Sequence, residues 1–309
     1  MTVLQQKITK HWTEDRIKKI TSGKKYVIRP DQAGVMLHAI GILNNDASMS
    51  ADNVRKFIQI NHMLSLLEHS LKDLAKRFDV VRIFDIGCGN SYLSLILAWY
   101  FIERLKHPCQ ILGIDRNKKV IENSEKRATL LGFGRALKFF QSEINLDSWQ
   151  QAYKQKYCEE DKVESQAEVK RPHLVLALHA CDTATDYAVA LGIKEKADVI
   201  AVVPCCQAEV AKKWSQNENP LHPLKPVFDV PNFRREIASQ FTDVLRFLFL
   251  RSSGYEVTAT EFVLLEHSHK NRLILAERRG NYFKKAKDQY EALKKELDID
   301  SFTLENLLS

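Results

Sequence analysis

Two short stretches of the chain gather imidazole, thiol and carboxylate side chains directly after apolar segments. The first, Leu178-His179-Ala180-Cys181-Asp182-Thr183-Ala184-Thr185-Asp186, ends a run that begins Leu174-Val-Leu-Ala. The second, Val203-Pro204-Cys205-Cys206-Gln207, ends a run that begins Val199-Ile-Ala-Val. An imidazole or carboxylate can take a proton from an acceptor group, and a thiolate can add to an electron-poor ring carbon. Packing explains each residue singly: Asp182 and Thr183 suit the cap of a following helix, and His179 suits a satisfied, half-buried ring. It does not explain their joint appearance at two strand ends, so His179, Asp182 and Cys206 are the candidate catalytic residues. Cys205 and Cys206 are adjacent, so on leaving a strand their side chains point to opposite sides, and at most one faces a substrate. Pro204 stiffens the exit. No neighbouring Lys or Arg lowers a thiol pKa here, which favours His179 and Asp182 over a covalent cysteine mechanism.

A third stretch sets the frame. Val80 to Ile86 is β-branched and apolar, carries Asp85 near its end, breaks at Gly87 and Gly89, and resumes as an apolar segment of helical length. That is a strand, a glycine turn and a helix, the opening of a nucleotide-binding α/β unit. Glycine serves where backbone angles exclude side chains and a ligand must lie against bare backbone. The dinucleotide pattern G-x-G-x-x-G requires a third glycine, and Tyr92 stands there, which disfavours NAD. The acid precedes the glycines instead, and a second acid, Asp115, ends the next apolar run, Ile111-Leu-Gly-Ile-Asp115. Asp-x-Gly-x-Gly with that second acid resembles motif I of class I S-adenosyl-L-methionine (SAM) methyltransferases. The resemblance implies that Asp85, Gly87 and Gly89 lie against SAM and that Asp115 holds its ribose hydroxyls. It further implies that Gln141, Ser142 or Glu143, at the end of a strand from Leu137, reads the adenine. The bland alternatives are a small buried Cys88 and an Asp115 that helps to cap the helix after Asn117.

Residues 1–79 read as a helical N-terminal extension. Ala33 to Leu43 has helical spacing, and Ser50 or Asp52 caps a long helix from about Asn53 to Phe78. An apolar stripe on it comprises Ile58, Met63, Leu66, Leu67, Leu71 and Leu74, and its first turns carry Lys56, Gln59, Asn61 and His62. That helix feeds into the motif I strand, so Gln59 and His62 are candidates to overhang the cofactor. Strands are expected at Leu137 to Glu143, Leu174 to Leu178 and Val199 to Val203. A helix from Asn232 to Phe249 and two strands, Tyr255 to Glu266 and Arg272 to Glu277, follow. The alternation predicts an α/β, doubly wound, seven-stranded sheet over residues 80–280, with a helical tail at 281–309, and its order resembles the Rossmann-like methyltransferase sheet. Ligands then belong beyond the carboxyl ends of the strands, where Cys206 and His179 lie, and His179 is a candidate to touch the cofactor as well.

The 309 residues are 45% hydrophobic and 28% charged, ordinary values for a globular chain. No apolar run approaches the roughly 20 residues of a membrane span. The first residues lack a signal-type segment, and the six cysteines show no C-x-x-C spacing, so the expectation is a cytoplasmic protein with reduced thiols and no metal or disulfide framework. The net charge of +7 comes mostly from residues 1–30, where Lys7, Lys10, Arg16, Lys18, Lys19, Lys24, Lys25 and Arg29 face only Glu14 and Asp15. Such a patch suits RNA, and a solvated, fraying terminus is the competing reading.

Three acceptors compete on the residues. Amino-group transfer commonly carries Asn/Asp-Pro-Pro-aromatic after the fourth strand, absent here. Pyrimidine-carbon transfer needs a thiolate, and hydroxyl transfer needs proximity to SAM and a base. His179-Ala-Cys-Asp182, Pro204-Cys-Cys206 and Lys56-x-x-Gln59-Ile-Asn-His62 together resemble a distinct group of methyltransferase-like proteins. That group is distantly similar to tRNA 2′-O-methyltransferases that act on the acceptor stem. Those enzymes carry further histidines after the Cys-Cys pair, where this chain has Gln207 and Ala208. An RNA acceptor is the expectation, with a protein or small molecule as the alternative.

Overall fold

The structure is a computed structural model that describes residues 2–159, 170–178, 180, 182–205, 207–261, 272–280 and 283–309. His179, Cys181 and Cys206 lie outside the described residues, as does the expected turn at 267–271. Helices α1 (Val3–His11), α2 (Glu14–Thr21), α3 (Pro30–Ala39) and α4 (Ala51–Arg77) precede the first strand. The chain then alternates through β1 (Val81–Ile86), α5 (Tyr92–Trp99), β2 (Cys109–Asp115), α6 (Lys118–Leu130), β3 (Leu137–Gln141) and α7 (Ser148–Tyr153). After it come β4 (Leu174–Leu178), α8 (Thr183–Lys194), β5 (Val199–Val203), α9 (Glu209–Trp214), α10 (Lys225–Asp229) and α11 (Pro231–Ser252). The last elements are β6 (Tyr255–Glu261), β7 (Arg272–Arg278), α12 (Lys284–Glu296) and α13 (Thr303–Asn306).

The seven strands form one mixed sheet in the order β3-β2-β1-β4-β5-β7-β6, the expected α/β arrangement with its helical N-terminal region. The chain runs outward one way through β2 and β3 and the other way through β4 and β5, so its direction reverses beside β1. That reversal is where open α/β sheets bind ligands. Pairing is parallel for β2 with β3, β1 with β4 and β4 with β5, and antiparallel for β5 with β7. The described chain divides into two compact units, one built mainly from residues up to Arg82 and from Cys88–Gln141, the other mainly from Ile83–Gly87, Ser142–Thr260 and the chain from β7 onward.

In the first unit the basic terminus is folded, which replaces the fraying terminus weighed from sequence. Thr2 and Gln5 form a reciprocal capping box on α1, and Ile8, Trp12, Ile17 and Ile28 are buried. Ile8 packs onto Gly34 of α3, where an added Cβ would meet the isoleucine at 2.7 Å. The Trp12 indole donates to the carbonyl of Ala47 at 2.8 Å, and the Ile28 amide donates to Asn61 Oδ1 at 2.8 Å. Ser50 caps α4 by accepting from the Asn53 amide. The face that α4 buries is Phe57, Asn61, Met63, Leu64, Leu67, Ser70, Leu71 and Leu74, so Ile58 and Leu66 flank the expected stripe. Gly113 of β2 faces Phe139 of β3 so closely that a Cβ would lie 2.5 Å from the ring, which explains glycine in a strand interior.

In the second unit β4 and β5 are continuous apolar runs, and all but the last residue of β4 are buried, as expected for central strands. Gly192 of α8 lets that helix settle on Ile200 of β5, where a Cβ would meet the side chain at 2.5 Å. The third strand ends at Gln141, two residues before the expected end. The described part of β6 ends at Glu261, and residues 262–271 are outside the description. Among the described residues no helix is long and apolar enough to cross a membrane.

Candidate functional site

The turn after β1 is built by positive backbone angles: Gly87 has φ +70° and Gly89 has φ +50°. Ser91, at φ +57°, continues the turn and stands at the N-cap position of α5. A side chain at Gly87 would stand 3.7 to 3.8 Å from Ile144 and Ala180, so its backbone angle, rather than lack of space, calls for glycine. Asp85 is buried within β1, beside Leu176 of β4 at the reversal of the sheet.

In the first unit Asp115 closes β2. Its Oδ2 accepts from the Gly89 amide at 3.0 Å and its Oδ1 from the Asn117 amide at 2.9 Å. Asn117 in turn caps α6 by accepting from the amides of Lys119 and Val120. The competing capping role of Asp115 is therefore limited to a turn bond, and Asn117 does the capping. Each carboxylate oxygen has a second lone-pair direction left for a diol. Cys88 is half-buried, and its amide donates to the carbonyl of Ile114. Tyr92 is exposed at the first position of α5, with the Arg127 guanidinium 5.7 Å from its ring centre. Gln141 is exposed and its amide donates to the Arg116 carbonyl at 3.3 Å. On α4, Gln59 and His62 are half-buried, whereas Asn61 between them is spent on structure, accepting from Ile28 and donating to the Phe57 carbonyl.

In the second unit Glu143 is exposed. The exits of β4 and β5 are joined by a polar network. Asp182 has φ +50° and ψ −121°, a backbone conformation that side chains rarely adopt, and it stands before the first residue of α8 without capping that helix. Its Oδ1 reaches the other exit, accepting from the amides of Ala208 at 2.9 Å and Glu209 at 3.4 Å. The cap expected from sequence thus serves α9 rather than α8. Thr185 donates its hydroxyl to the Ala180 carbonyl at 2.7 Å. Behind these loops lies Arg246 of α11, with no solvent exposure. Its Nε and Nη2 grip both oxygens of Asp186 at 2.8 and 2.7 Å, and Nη2 also donates to the Asp182 carbonyl at 3.1 Å. Asp243 accepts from Arg246 at 3.4 Å, from the Gln207 amide at 2.8 Å and from Arg272 at 3.4 Å. Burial opposes the Arg246 charge, but Asp186 and Asp243 outweigh it and hold its pKa above the usual guanidinium value. Beside this network Glu209 is partly buried, which pushes its carboxyl pKa up, and its Oε1 accepts from the Thr303 amide.

Sequence reasoning missed Arg246, Asp243 and the buried role of Asp186. A signal was present: Arg246 sits inside Val244-Leu-Arg-Phe-Leu-Phe-Leu250, and a cation on the apolar face of a helix needs a buried partner. Cys205 is half-buried. His179, Cys181 and Cys206 lie between or beside described residues, and their own placement is outside the description.

Residues 55–213 match the model of a family described as a methyltransferase domain. No curated protein matches the sequence. The chain is similar to the structure of a putative O-methyltransferase from Klebsiella pneumoniae, at 13% identity over 87% of this chain and 98% of that one, with a TM-score of 0.44. It is similar to the S-adenosylhomocysteine-bound methyltransferase PaMTH1 of Podospora anserina, at 12% identity over 87% and 97%, with a TM-score of 0.42. A third similar structure is the CMeT domain of the citrinin polyketide synthase, at 18% identity over 74% of this chain; only 57% of that domain is covered, and the TM-score is 0.41.

Proposed function

We propose that this chain, which belongs to the methyltransferase-domain family and is an S-adenosyl-L-methionine-dependent enzyme, transfers its methyl group to RNA. The acids and glycines of motif I fit the cofactor's chemistry: bare backbone at Gly87 and Gly89, and in Asp115 a carboxylate held by two amides with lone pairs left for hydroxyls. Gln59, His62, Gln141 and Glu143 complete the proposed set around it. When bound, SAM supplies an electrophilic methyl group on a sulfonium. The chain's own residues orient the acceptor and accept its proton, for which His179 is the base and Asp182 the partner that holds the exit loop in place. Cys206, the remaining candidate from the sequence, forms no covalent adduct in this reading.

One observation carries the RNA acceptor. Lys7, Lys10, Arg16, Lys18, Lys19, Lys24 and Lys25 are all exposed on a terminus that is folded and packed through Ile8, Trp12 and Ile17. Arg29 alone is drawn into ion pairs with Glu14 and Asp31. A folded surface with that excess of cations attracts phosphates. The resemblance of the strand-end motifs to those of tRNA-modifying enzymes supports the same reading. The test is label transfer from SAM into RNA, protein and metabolite fractions of cells lacking the enzyme, together with RNA binding as a function of salt. Reversing Lys18, Lys19, Lys24 and Lys25 to Glu should flatten the salt dependence by about 0.7 to 0.9 for each phosphate that is no longer neutralised. Label entering protein or metabolites, with RNA binding unchanged in the variant, would replace the RNA reading.

A further inference from the structure

Arg246 has no part in binding the cofactor or in taking a proton, yet its contacts converge on the two strand exits. A buried ion network is weak evidence for stability, because apolar side chains of similar volume often serve as well. What this one does is more specific. The guanidinium spans both oxygens of Asp186 in α8, the carbonyl of Asp182 after β4, and Asp243 on its own helix. Asp243 extends the tie to Gln207 after β5 and to Arg272 at the start of β7. Arg246 thus bonds directly to the β4 exit and, through Asp243, is linked to the β5 exit.

A second observation points the same way. Asp182 holds a backbone conformation that a non-glycine residue adopts only when its surroundings impose it. Here they do so from two sides: Arg246 takes its carbonyl, and the amides of Ala208 and Glu209 take its carboxylate. Strain of this kind persists where local geometry matters more than local stability. We propose that Arg246 is a positioning residue for methyl transfer, holding Asp182 and Gln207 so that the exits of β4 and β5 present their side chains to the acceptor. This rests on the reading that those exits form the acceptor side.

The test compares Arg246→Lys, which keeps the charge but loses the bidentate fork, with Gln207→Ala, which removes the link from Asp243 to the β5 exit. Arg278→Lys, which alters the ion pair with Asp198 at the opposite end of the same strands, is the control. The measurements are melting temperature, S-adenosylhomocysteine affinity by calorimetry, the rate of label transfer at saturating SAM into whichever fraction accepts label, and hydrogen exchange. Arg246→Lys should fold, keep the affinity within about threefold and lose about tenfold or more in transfer rate. Exchange should rise at residues 182–186 and 207–209 while the amides of β4 and β5 stay protected. Gln207→Ala should lose less, in the same rate and not in affinity, and Arg278→Lys should lose neither. An unchanged rate in folded Arg246→Lys, or rate and affinity falling together with melting temperature, overturns the proposal. Should Arg246→Lys fail to fold, an unchanged rate in Gln207→Ala overturns it. Should the wild-type protein label no fraction, the acceptor reading falls separately. The exchange pattern then decides alone: no rise at the two exits in Arg246→Lys, or in Gln207→Ala should Arg246→Lys not fold, overturns the positioning role.

Discussion

The turn after β1 and the exits of β4 and β5 both hold carboxylates in fixed orientation, by opposite means. Asp115 is half-buried, and two backbone amides fix it. Asp186 and Asp243 are turned inward, and a fully buried guanidinium fixes them. A single hydrogen bond from a backbone N–H to each oxygen leaves lone pairs that a ligand can use. A bidentate guanidinium consumes the acceptor directions and takes the carboxylate out of solvent. The first arrangement leaves a charge open to the proposed cofactor, while the second turns its charges toward the interior. A carboxylate's partners therefore say more about its purpose than its place at a strand end does.

Breaking the inward network should have the larger effect. Arg246→Met leaves Asp186 and part of Asp243 without a counter-charge in the interior, and removing one partner of a buried pair typically costs about 3 to 5 kcal/mol. Chemical denaturation should show that loss. If Met is as stable as Arg here, the carboxylates are not held as described. The outward carboxylate should behave in reverse. Asp115→Ala should weaken SAM binding by about 1.5 to 3 kcal/mol, the scale of a charge-assisted hydrogen bond, while the melting temperature moves little. Calorimetry on the folded variant checks it, and an unchanged affinity would remove Asp115 from the cofactor.

Glu209 lies between the two cases and should give the smallest effect. Burial raises its folded pKa above the unfolded value, so the stability it contributes is full at low pH and is lost as pH rises through the raised pKa. Glu209→Gln should therefore gain in melting temperature relative to the wild type on going from about pH 5 to about pH 8. A difference independent of pH would mean that the carboxyl titrates normally.

The outward region was legible in the sequence because its requirements are local. Bare backbone needs Gly87 and Gly89, a tight strand end needs Asp115, and the helix after it needs Asn117, all within a few residues of one another or of a strand end. The central strands β4 and β5 were legible for the same reason, since burial on both faces demands an unbroken apolar run. The inward network was not legible, because its members are far apart in sequence and each has an innocent reading. Asp186 looks like a residue in the first turn of a helix, Gln207 like a loop residue and Arg246 like a surface cation. Only the fold brings them together, and only the apolar neighbours of Arg246 hinted that it faces inward. Asp182 shows the same limit at shorter range: its type suited a cap, but its backbone sends the carboxylate to another helix.

The N-terminal helices are tied to the rest of their unit by Ile8 against Gly34, by the Trp12 indole on Ala47 and by the Ile28 amide on Asn61. A disordered basic arm must give up conformational freedom each time it closes on a polyanion, which weakens its hold for a given number of contacts. Here most of that ordering is complete before any partner arrives. The backbone positions that carry the cations of α1 and α2 keep fixed spacing, so for the proposed RNA a form whose phosphates match that spacing should gain over one of equal charge and different shape.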